Sequence, residues 1–254
     1  MTGLFDLKGR TALITGSSRG IGRAIAERMA EAGAKVVVSS RKLDACEEVV
    51  SAIKKAGGEA TALACNISNK PELQQLVERT RQVYGKIDIL VCNAAVNPHY
   101  GTTQEIPDSA FQKVIDCNIR SNHWLCQMVI PEMAERGDGA VLIVSSIGGL
   151  KGSSSLGTYG LSKAADMALA RNLAVEWGPR NVRVNCIAPG LVRTDFARAL
   201  WENPETYELA VQRYPLRRIG EPDEIAGAAV FLAARAGSFV TGQTLVIDGG
   251  ATIT

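Results

Sequence analysis

Short apolar runs rich in β-branched residues alternate with longer segments of helical periodicity along nearly all of the 254-residue chain. The predicted strands are Thr11–Thr15, Lys35–Ser39, Thr61–Cys65, Ile87–Cys92, Ala140–Ser145, Arg183–Ile187 and Thr244–Ile247. The predicted helices between and after them are Gly20–Ala32, Lys42–Lys55, Pro71–Tyr84, Ser109–Arg136, Tyr159–Trp177, Asp195–Arg213 and Pro222–Arg235. Strict alternation of this kind produces right-handed βαβ units and therefore a parallel sheet.

Two predicted strands indicate what covers that sheet. Val36–Val38 and Val141–Val144 are continuously apolar, which is typical of strands with helices on both faces. No linker, repeat or low-complexity segment divides the sequence. We therefore predict an α/β fold, a single doubly wound parallel sheet of about seven strands with helices on both faces (a Rossmann fold), in one domain spanning residues 1–254.

Charge and cysteine content limit the partners and the compartment. The formal net charge of +2 is too small to predict nucleic acid or an anionic membrane as a general partner. No apolar run approaches the ~20 residues of a membrane span, and the first eight residues lack the layout of a secretion signal. The six cysteines are scattered without a CxxC pair, and only two histidines accompany them. We expect buried free thiols, no metal site and a cytoplasmic location.

A glycine-rich segment follows the first predicted strand and leads directly into a helix. Such a turn lets backbone N–H groups and the helix dipole approach a pyrophosphate. The GxxxGxG spacing also suits an ordinary tight turn, but its place after the first strand of a βαβ chain favours dinucleotide binding. The candidate cofactor-binding residues here are Gly16, Ser17, Ser18, Arg19, Gly20, Ile21 and Gly22.

The end of the second strand indicates which dinucleotide is bound. An NAD site usually places an acidic residue there to bind the ribose hydroxyls, but this strand ends Ser39-Ser40-Arg41-Lys42. Arg41 can bind a 2′-phosphate bidentately with help from Ser40, and Arg19 is a plausible second clamp. The alternative is that Arg41 and Lys42 only decorate a solvated helix start. We predict a preference for NADP(H), with NAD(H) as the other possibility.

A tyrosine and a lysine four residues apart carry the candidate chemistry. Tyr159 and Lys163 share one face of a predicted helix, although most such pairs are only surface neighbours. The preceding strand ends at Ser145-Ser146, and strand carboxyl ends in open α/β sheets face the ligand crevice. Ser146 and Tyr159 are therefore predicted to converge on one pocket.

With these motifs the chain resembles the short-chain dehydrogenase/reductase family over essentially its whole length. The matching motifs are TGSSRGIG at 15–22, Cys92-Asn93-Ala94-Ala95, Asn118 within DCNI, Ser146, YxxxK at 159–163, and Pro189-Gly190 followed by Thr194. Ser146 rather than Ser145 fits the family, because the family serine lies 13 residues before the tyrosine. The segment 93–98, the SSRK stretch and Gly190-Leu-Val-Arg resemble the branch of NADPH-dependent retinol and carbonyl reductases.

The resemblance implies a catalytic set of Asn118, Ser146, Tyr159 and Lys163. Tyr159 exchanges a proton with the substrate oxygen, and the adjacent ammonium of Lys163 favours the phenolate and binds the nicotinamide ribose. Ser146 donates a hydrogen bond that places the carbonyl oxygen. Asn118 anchors a water that relays protons to solvent; taken alone, it could instead satisfy a backbone break in a long helix.

Further cofactor contacts are implied by position. Asn66 and Ile67 stand where the family usually has Asp-Val beside the adenine, and the asparagine still offers a carbonyl acceptor. Asn93 and Ala94 resemble the pair that binds the ribose and stabilises the strand. The nicotinamide carboxamide is expected to be bordered by Pro189, Gly190, Val192 and Thr194.

The substrate side is less specific. A lid at about 191–218 carries large apolar side chains that either form a pocket for a hydrophobic carbonyl compound or bury the lid against its own domain or a partner subunit. Apolar residues around Ser109–Arg136 and Tyr159–Trp177, together with the resemblance, predict a homo-oligomer, a dimer or tetramer.

We expect hydride transfer between NADP(H) and a ketone, aldehyde or secondary alcohol. The alternative enzyme is a 3-oxoacyl-[acyl-carrier-protein] reductase, which the arginines of the lid would suit. A non-catalytic cofactor-binding protein is disfavoured because Tyr159 and Lys163 are both present.

Overall fold

A parallel seven-stranded sheet of order β3-β2-β1-β4-β5-β6-β7 forms the centre of the molecule. The computed structural model describes residues 3–254. Met1 and Thr2 lie outside the described residues, although the predicted domain and the first eight residues discussed above include them. The strands are β1 Thr11–Thr15, β2 Lys35–Ser40, β3 Glu59–Ala64, β4 Ile89–Cys92, β5 Gly139–Val144, β6 Val182–Pro189 and β7 Thr244–Ile247. The predicted Rossmann fold is confirmed, and the strand order reverses direction between β1 and β4, where such sheets bind ligands.

Helices connect the strands on both faces. They are α1 Gly20–Glu31, α2 Leu43–Lys55, α3 Lys70–Tyr84, α4 Asp108–Val114, α5 Ser121–Arg136, α6 Gly157–Trp177, α7 Arg198–Trp201, α8 Pro204–Gln212 and α9 Pro222–Ala233. No helix of residues 3–254 combines the length and the apolar character needed to cross a bilayer.

Two helices predicted as continuous are interrupted. The segment predicted at 109–136 contains a π-helical stretch, Ile115–Arg120, between α4 and α5. The segment predicted at 195–213 is a 3₁₀ turn followed by α7 and α8. Pro204 explains the second break, because a residue before proline avoids helical backbone angles, and Asn203 there is extended with its side chain capping the amide of Thr206.

The strands contribute side chains to two apolar cores, one on each face of the sheet. Ile14 of β1 packs with α1, α2 and α9, whereas the adjacent Leu13 packs with α3, α5 and α6. Val36 and Val38 of β2 likewise belong to the first core, and Val37 belongs to the second. Alternate residues of each strand are therefore buried on opposite faces, which explains why the strand sequences are apolar without alternation.

Candidate active site

The glycine-rich loop lies between the carboxyl end of β1 and the first turn of α1. Gly16 has φ +65°. A Cβ at Gly16 would lie 2.8 Å from the Cα of Ala94 and 2.9 Å from Nδ2 of Asn93, so no other residue fits without displacing the end of β4. The loop and the residues after β4 are thus packed directly against each other.

Asn93 and Ala94 hold the loop in this position. The Asn93 side chain donates to the carbonyl oxygens of Thr15 (2.9 Å) and Gly16 (3.1 Å). The hydroxyl of Thr15 in turn accepts from the backbone amides of Asn93 (3.1 Å) and Ala94 (3.2 Å). These bonds join the end of β1 to the residues after β4, which is the strand-stabilising part of the role that the resemblance implies for Asn93 and Ala94.

The start of α1 is suited to binding an anion. Its N-cap residue Arg19 makes no side-chain cap, and its first turn contains no acidic residue. The amides of that turn and the positive end of the helix dipole are therefore available to a phosphate group. That a dinucleotide pyrophosphate binds here, in contact with Ser18, Gly20 and Ile21, stays a prediction.

Ser17 shapes the loop from the inside. Its side chain is fully buried, its hydroxyl donates to the carbonyl of Ile14 at 2.7 Å, and it accepts from the amide of Ser39 at 2.9 Å. The amide of Ser17 donates to the carbonyl of Ser39 at 3.1 Å. The structure therefore does not bring the Ser17 side chain to the ligand side of the loop.

The end of β2 carries the predicted discriminator of the cofactor. Arg41 and Lys42 are exposed, and the Ser40 hydroxyl lies 3.1 Å from Sγ of Cys46 and 3.3 Å from the carbonyl of Lys42. Arg19 is exposed as well, but its guanidinium lies 3.8 Å from the carboxylate of Asp195. Arg19 thus connects the glycine loop to the segment after β6.

Asn66 is engaged in its own loop. Its side-chain oxygen Oδ1 accepts from the backbone amide (3.2 Å) and the hydroxyl (2.9 Å) of Ser68, and its backbone amide donates to the carboxylate of Glu72 at 2.8 Å. Ile67 is partly buried against the core on that face. The predicted adenine contact would require Asn66 to exchange one of these bonds, and it stays a prediction.

The two serines at the end of β5 have different environments. Ser145 is buried and its hydroxyl donates to the carbonyl of Lys163 at 2.7 Å, which ties α6 to β5. Ser146 is only partly buried and accepts from the amide of Gly148 at 3.0 Å. A Cβ at Gly148 would lie 3.4 Å from the hydroxyl oxygen of Ser146 and 3.9 Å from the ring of Tyr159. The side chains of Ser146 and Tyr159 therefore flank the same glycine.

The loop after Ser146 presses against α6. A Cβ at Gly149 would lie 2.7 Å from the backbone nitrogen of Ala164 and 2.7 Å from the carbonyl carbon of Lys163. Both atoms are rigid helix backbone, so a side chain at this position would push the loop away. The contact fixes the distance between Ser146 and the tyrosine–lysine face of α6.

Lys163 is buried beneath Tyr159. Its ammonium donates to the carbonyl of Val144 at 2.9 Å and to the carboxylate of Asp166 at 3.0 Å, and it lies 5.7 Å from the centroid of the Tyr159 ring. Burial lowers the pKa of Lys163, but the neighbouring Asp166 and Tyr159 raise it, and the net shift is upward. The side chain therefore stays charged throughout the neutral range.

Asn118 lies in the π-helical stretch and is fully buried. Its side chain accepts from the amide of Val96 at 2.8 Å and donates to the carbonyl of Val96 and to the hydroxyl of Ser162, both at 3.0 Å. The backbone carbonyl of Asn118 accepts from the side chain of Asn122 at 2.8 Å. Asn122, rather than the side chain of Asn118, therefore satisfies the carbonyl at the helix break.

The segment after β6 closes the other side of the crevice. Pro189 ends β6, Gly190 follows it, and Val192 is buried and bridges to Gly220. A Cβ at Gly20 would lie 3.2 Å from the methyl carbon of Thr194, so this segment reaches the glycine loop.

The predicted lid, residues 191–218, has both exposed and buried apolar side chains. Phe196 is half exposed, and its ring centroid lies 6.0 Å from that of Tyr159. Tyr214 is buried and its hydroxyl accepts from the amide of Leu191 at 3.1 Å. Part of the lid therefore packs on its own domain, while Phe196 lies beside the candidate catalytic tyrosine.

Asn122 and Asp166 were not predicted from the sequence. The side chain of Asn122 donates to Asp166 at 2.9 Å and thus connects Asn118 to the partner of Lys163. The available signal was a polar residue four positions after Asn118 and an acidic one three positions after Lys163, on the same helix faces.

Several known proteins similar to this chain are named as dehydrogenases or reductases. The family model described as enoyl-(acyl carrier protein) reductase matches residues 16–252. Dehydrogenase/reductase SDR family member 4 of Bos taurus is 43% identical over 244 residues, which are 96% of this chain and 88% of that protein. The protein of the same name from Homo sapiens is 41% identical over 250 residues, 98% of this chain and 90% of that one.

Solved structures agree with this relationship. The 7α-hydroxysteroid dehydrogenase complexed with NADH and 7-oxo glycochenodeoxycholic acid superposes with a TM-score of 0.94 at 39% identity, covering 97% of this chain and 96% of that one. Gluconate 5-dehydrogenase from Burkholderia cenocepacia in complex with NADP and tartrate gives a TM-score of 0.95 at 30% identity, covering 100% and 99%.

Fold and similarity together define an oxidoreductase built on a Rossmann fold. The chain belongs to the short-chain dehydrogenase/reductase family.

Proposed function

We propose that this protein is an NADP(H)-dependent oxidoreductase that interconverts a ketone or aldehyde and the corresponding alcohol. The observation that carries the proposal is the placement of Ser146 and Tyr159 on either side of Gly148, with the charged Lys163 beneath the tyrosine. The glycine loop with its uncapped helix start lies at the same edge of the sheet.

The residues divide the chemistry between proton transfer and orientation. A bound nicotinamide supplies or accepts the hydride. In reduction, the phenol of Tyr159 gives its proton to the carbonyl oxygen as negative charge develops there, and in oxidation the phenolate takes that proton from the alcohol. The Lys163 ammonium stabilises the phenolate, and the Ser146 hydroxyl donates a hydrogen bond to the substrate oxygen.

Asn118 is proposed to support proton exchange with solvent. Its side chain fixes the loop after β4 to α6 through Val96 and Ser162. In the proposal, this junction anchors a water between the active site and bulk solvent. The same side chain therefore has a structural role and a place beside the proton path.

The preference for NADP(H) is proposed from charge. β2 ends in Ser40 and Arg41 with no acidic residue, and Arg41 is exposed where a 2′-phosphate would lie. A carboxylate at this position would repel the phosphate, whereas a guanidinium binds it in a bidentate geometry. The remaining predicted contacts, Asn66, Ile67, Pro189, Gly190, Val192 and Thr194, belong to the same proposal.

The test is a screen of NADPH oxidation with ketones, keto esters, diketones, retinal and acyl thioesters, run with the wild-type protein and Tyr159→Phe. We expect turnover of at least one carbonyl class by the wild type and loss of at least about 100-fold in Tyr159→Phe, because proton transfer by a positioned group typically contributes this much. NADPH binding, measured by fluorescence, should be unchanged. Substantial activity in Tyr159→Phe would contradict the assignment of the proton donor.

A 3-oxoacyl-[acyl-carrier-protein] reductase is the second candidate, because the matching family model, an enoyl-(acyl carrier protein) reductase, also takes its name from a carrier-protein substrate. The charges of the lid argue against it. Arg193 pairs with Glu221, Arg198 pairs with Asp195, and Arg218 pairs with Glu224. Since these three arginines have acidic partners, only Arg213 and Arg217 of the lid arginines form no ion pair among residues 3–254, and two such charges offer an acidic carrier protein little attraction. Turnover of acyl-carrier thioesters in preference to small ketones would reverse this order.

The setting of the enzyme is proposed on separate observations. All six cysteines are free and buried, which suits a reducing compartment such as the cytoplasm.

On α6, Leu161 and Val175 are 52% and 81% exposed, which suits a homo-oligomer, a dimer or tetramer. Sedimentation of the protein measures that state, and a monomer would contradict it. Residues 191–218 are proposed to act as a substrate lid over a small carbonyl or alcohol.

A further inference from the structure

A buried acidic residue lies directly against the candidate catalytic lysine. Asp166 is one helical turn after Lys163 on α6, and the two side chains are 0% and 2% exposed. The distance between Nζ of Lys163 and Oδ2 of Asp166 is 3.0 Å. Among the residues that the structure describes, it is the one acidic partner within ion-pair distance of this ammonium.

Both oxygens of the Asp166 carboxylate have donors. Oδ2 accepts from Lys163, and Oδ1 accepts from the side-chain amide of Asn122 at 2.9 Å. The same amide group donates to the backbone carbonyl of Asn118 at 2.8 Å. A continuous buried chain of hydrogen bonds thus runs from Lys163 through Asp166 and Asn122 to Asn118. Hydrogen bonds donated to both oxygens favour the charged form of the carboxylate and oppose the effect of its burial.

The position of the ammonium follows from these contacts. Lys163 has three N–H donors, of which one goes to the carbonyl of Val144 and one to Asp166. The third remains for a ligand, and the nitrogen lies 5.7 Å from the Tyr159 ring centroid. Asp166 and Val144 therefore act as a two-point anchor for a side chain that otherwise has four rotatable bonds.

Burial makes the counter-ion important. An ammonium removed from water tends to lose its proton, and isolated buried lysines titrate several pH units below their usual range. Burial is the largest influence on Lys163 and acts in this direction, while the charge of Asp166 opposes it. Burial raises the pKa of Asp166, and the charge of Lys163 in part reverses that shift.

The other ionisable groups around the pair do not replace Asp166. They comprise Tyr159 and Arg171 on α6, Cys186 on β6, Cys92 on β4 and Cys126 on α5. A hydrogen bond with Cys126 and burial raise the pKa of Cys92, and burial raises that of Cys186. Both thiols are therefore neutral at physiological pH and supply no countercharge to Lys163.

We infer that Asp166 is a positioning residue for the reaction: it keeps the buried Lys163 ammonium charged and fixed beneath Tyr159, and it thereby sets the pH range of catalysis. Asn122 is the residue that orients Asp166. The inference rests on the proposed function, because the pH range is read from carbonyl reduction and alcohol oxidation.

The first test needs neither cofactor nor activity. Wild type and Asp166→Asn are labelled with ¹³C-lysine, and the ¹³Cε shift of Lys163, assigned by its absence in Lys163→Met, is followed against pH. In the wild type it keeps the ammonium value through the neutral range. In Asp166→Asn we expect its titration at least one pH unit lower, a tenfold change in acidity. Equal titration in the two proteins would overturn the inference.

The second test uses pH profiles of both reaction directions. In Asp166→Asn, we expect the alkaline limb of carbonyl reduction and the acid limb of alcohol oxidation both to move up by about one pH unit, because a Lys163 that has lost its proton no longer favours the phenolate of Tyr159. Asp166→Glu should restore part of the shift. Glu176→Gln, which removes the same charge from an exposed position on α6, is the control and should leave both limbs in place.

The outcomes separate the alternatives. A lower melting temperature with unmoved limbs would mean that Asp166 is only structural. An oxidation limb that moves down would mean that Lys163 stays charged without Asp166, which also contradicts the inference. If the wild type reduces no carbonyl compound, the proposed function fails while the lysine titration still decides the role of Asp166. If Asp166→Asn does not fold, the wild-type titration alone decides: a Lys163 signal that titrates in the neutral range would refute the inferred role of Asp166.

Discussion

At the scale of single residues, Arg41 carries the choice of cofactor. We expect Arg41→Ala to weaken NADPH about 10- to 100-fold, because a charge-assisted hydrogen bond to phosphate contributes roughly 1.5–3 kcal/mol. NADH, which lacks the 2′-phosphate, should change by less than about twofold. Dissociation constants from fluorescence titration check the result. Lys42→Ala is the matched control, since Lys42 is also exposed and adjacent; equal losses for both cofactors in Arg41→Ala would argue against the clamp.

Arg19 shows how a predicted clamp is shared with another element. The sequence placed it in the glycine loop, but its nearest acidic group is Asp195, 3.8 Å away across the crevice. Asp195→Asn should leave Arg19 free for the phosphate and tighten NADPH by about twofold, since exposed ion pairs contribute at most about 1 kcal/mol. Isothermal titration of NADPH and NADH measures this effect. A weaker NADPH complex would show that Asp195 helps to place Arg19.

The convergence of the candidate residues could be predicted where a motif carried it. The sequence predicts that Ser146, Tyr159 and Lys163 lie together, because the end of a strand and an i, i+4 pair on the next helix lie at the same edge of the sheet. Asn122 and Asp166 were not found, because nothing in local spacing shows that two polar side chains on different helices meet in the interior. The sequence also predicts Ser17 as a cofactor contact, but its hydroxyl and its backbone amide are hydrogen-bonded within the protein.

At the scale of elements, the contact between the Ser146 loop and α6 sets the alignment of the site. We expect Gly149→Ala to destabilise the protein by about 1–3 kcal/mol, because its Cβ would overlap helix backbone. Turnover should also fall, since Ser146 is displaced from Tyr159. Thermal unfolding and steady-state kinetics measure the two effects. Gly152→Ala in the same loop meets nothing within 4 Å and should change neither.

The lid offers a second prediction at this scale. Phe196 is 52% exposed and its ring lies beside Tyr159, so Phe196→Ala should raise KM for apolar carbonyl substrates about tenfold and leave small polar ones unchanged. Leu209→Ala is the control, because Leu209 is 56% exposed on α8. Equal effects of both changes would favour burial of the lid by a partner over a substrate pocket.

Element prediction succeeded where the apolar pattern is long and failed where a single residue decides. The seven strands were found from apolar runs, with boundaries shifted by two residues or fewer. The break before α8 depends on Pro204, and in the π-helical stretch the carbonyl of Asn118 accepts from the side chain of Asn122. Such breaks do not alter hydrophobic periodicity, so a pattern of apolar residues cannot reveal them.

At the scale of the whole molecule, the fold places the chemistry by topology alone. The strand order reverses between β1 and β4, so the loops after these strands diverge and leave a crevice between them. β5 and β6 add Ser146 and the segment after Pro189 to the same edge. The sequence could predict this convergence, because it follows from parallel strands and not from any particular side-chain contact.

The buried thiols make transient opening of the native protein measurable without any added label site. Cys46 lies in the first core, and Cys65, Cys92, Cys126 and Cys186 lie in the second, while Cys117 is buried outside both. Burial raises the pKa of Cys65 to about 12. A thiol-specific dye should thus leave the folded chain unmodified and react only when the chain opens transiently. The rate of labelling therefore measures how often the chain opens. Labelling followed by mass spectrometry would then show which half of the molecule opens first, and whether a bound dinucleotide slows both halves or only the one that it touches.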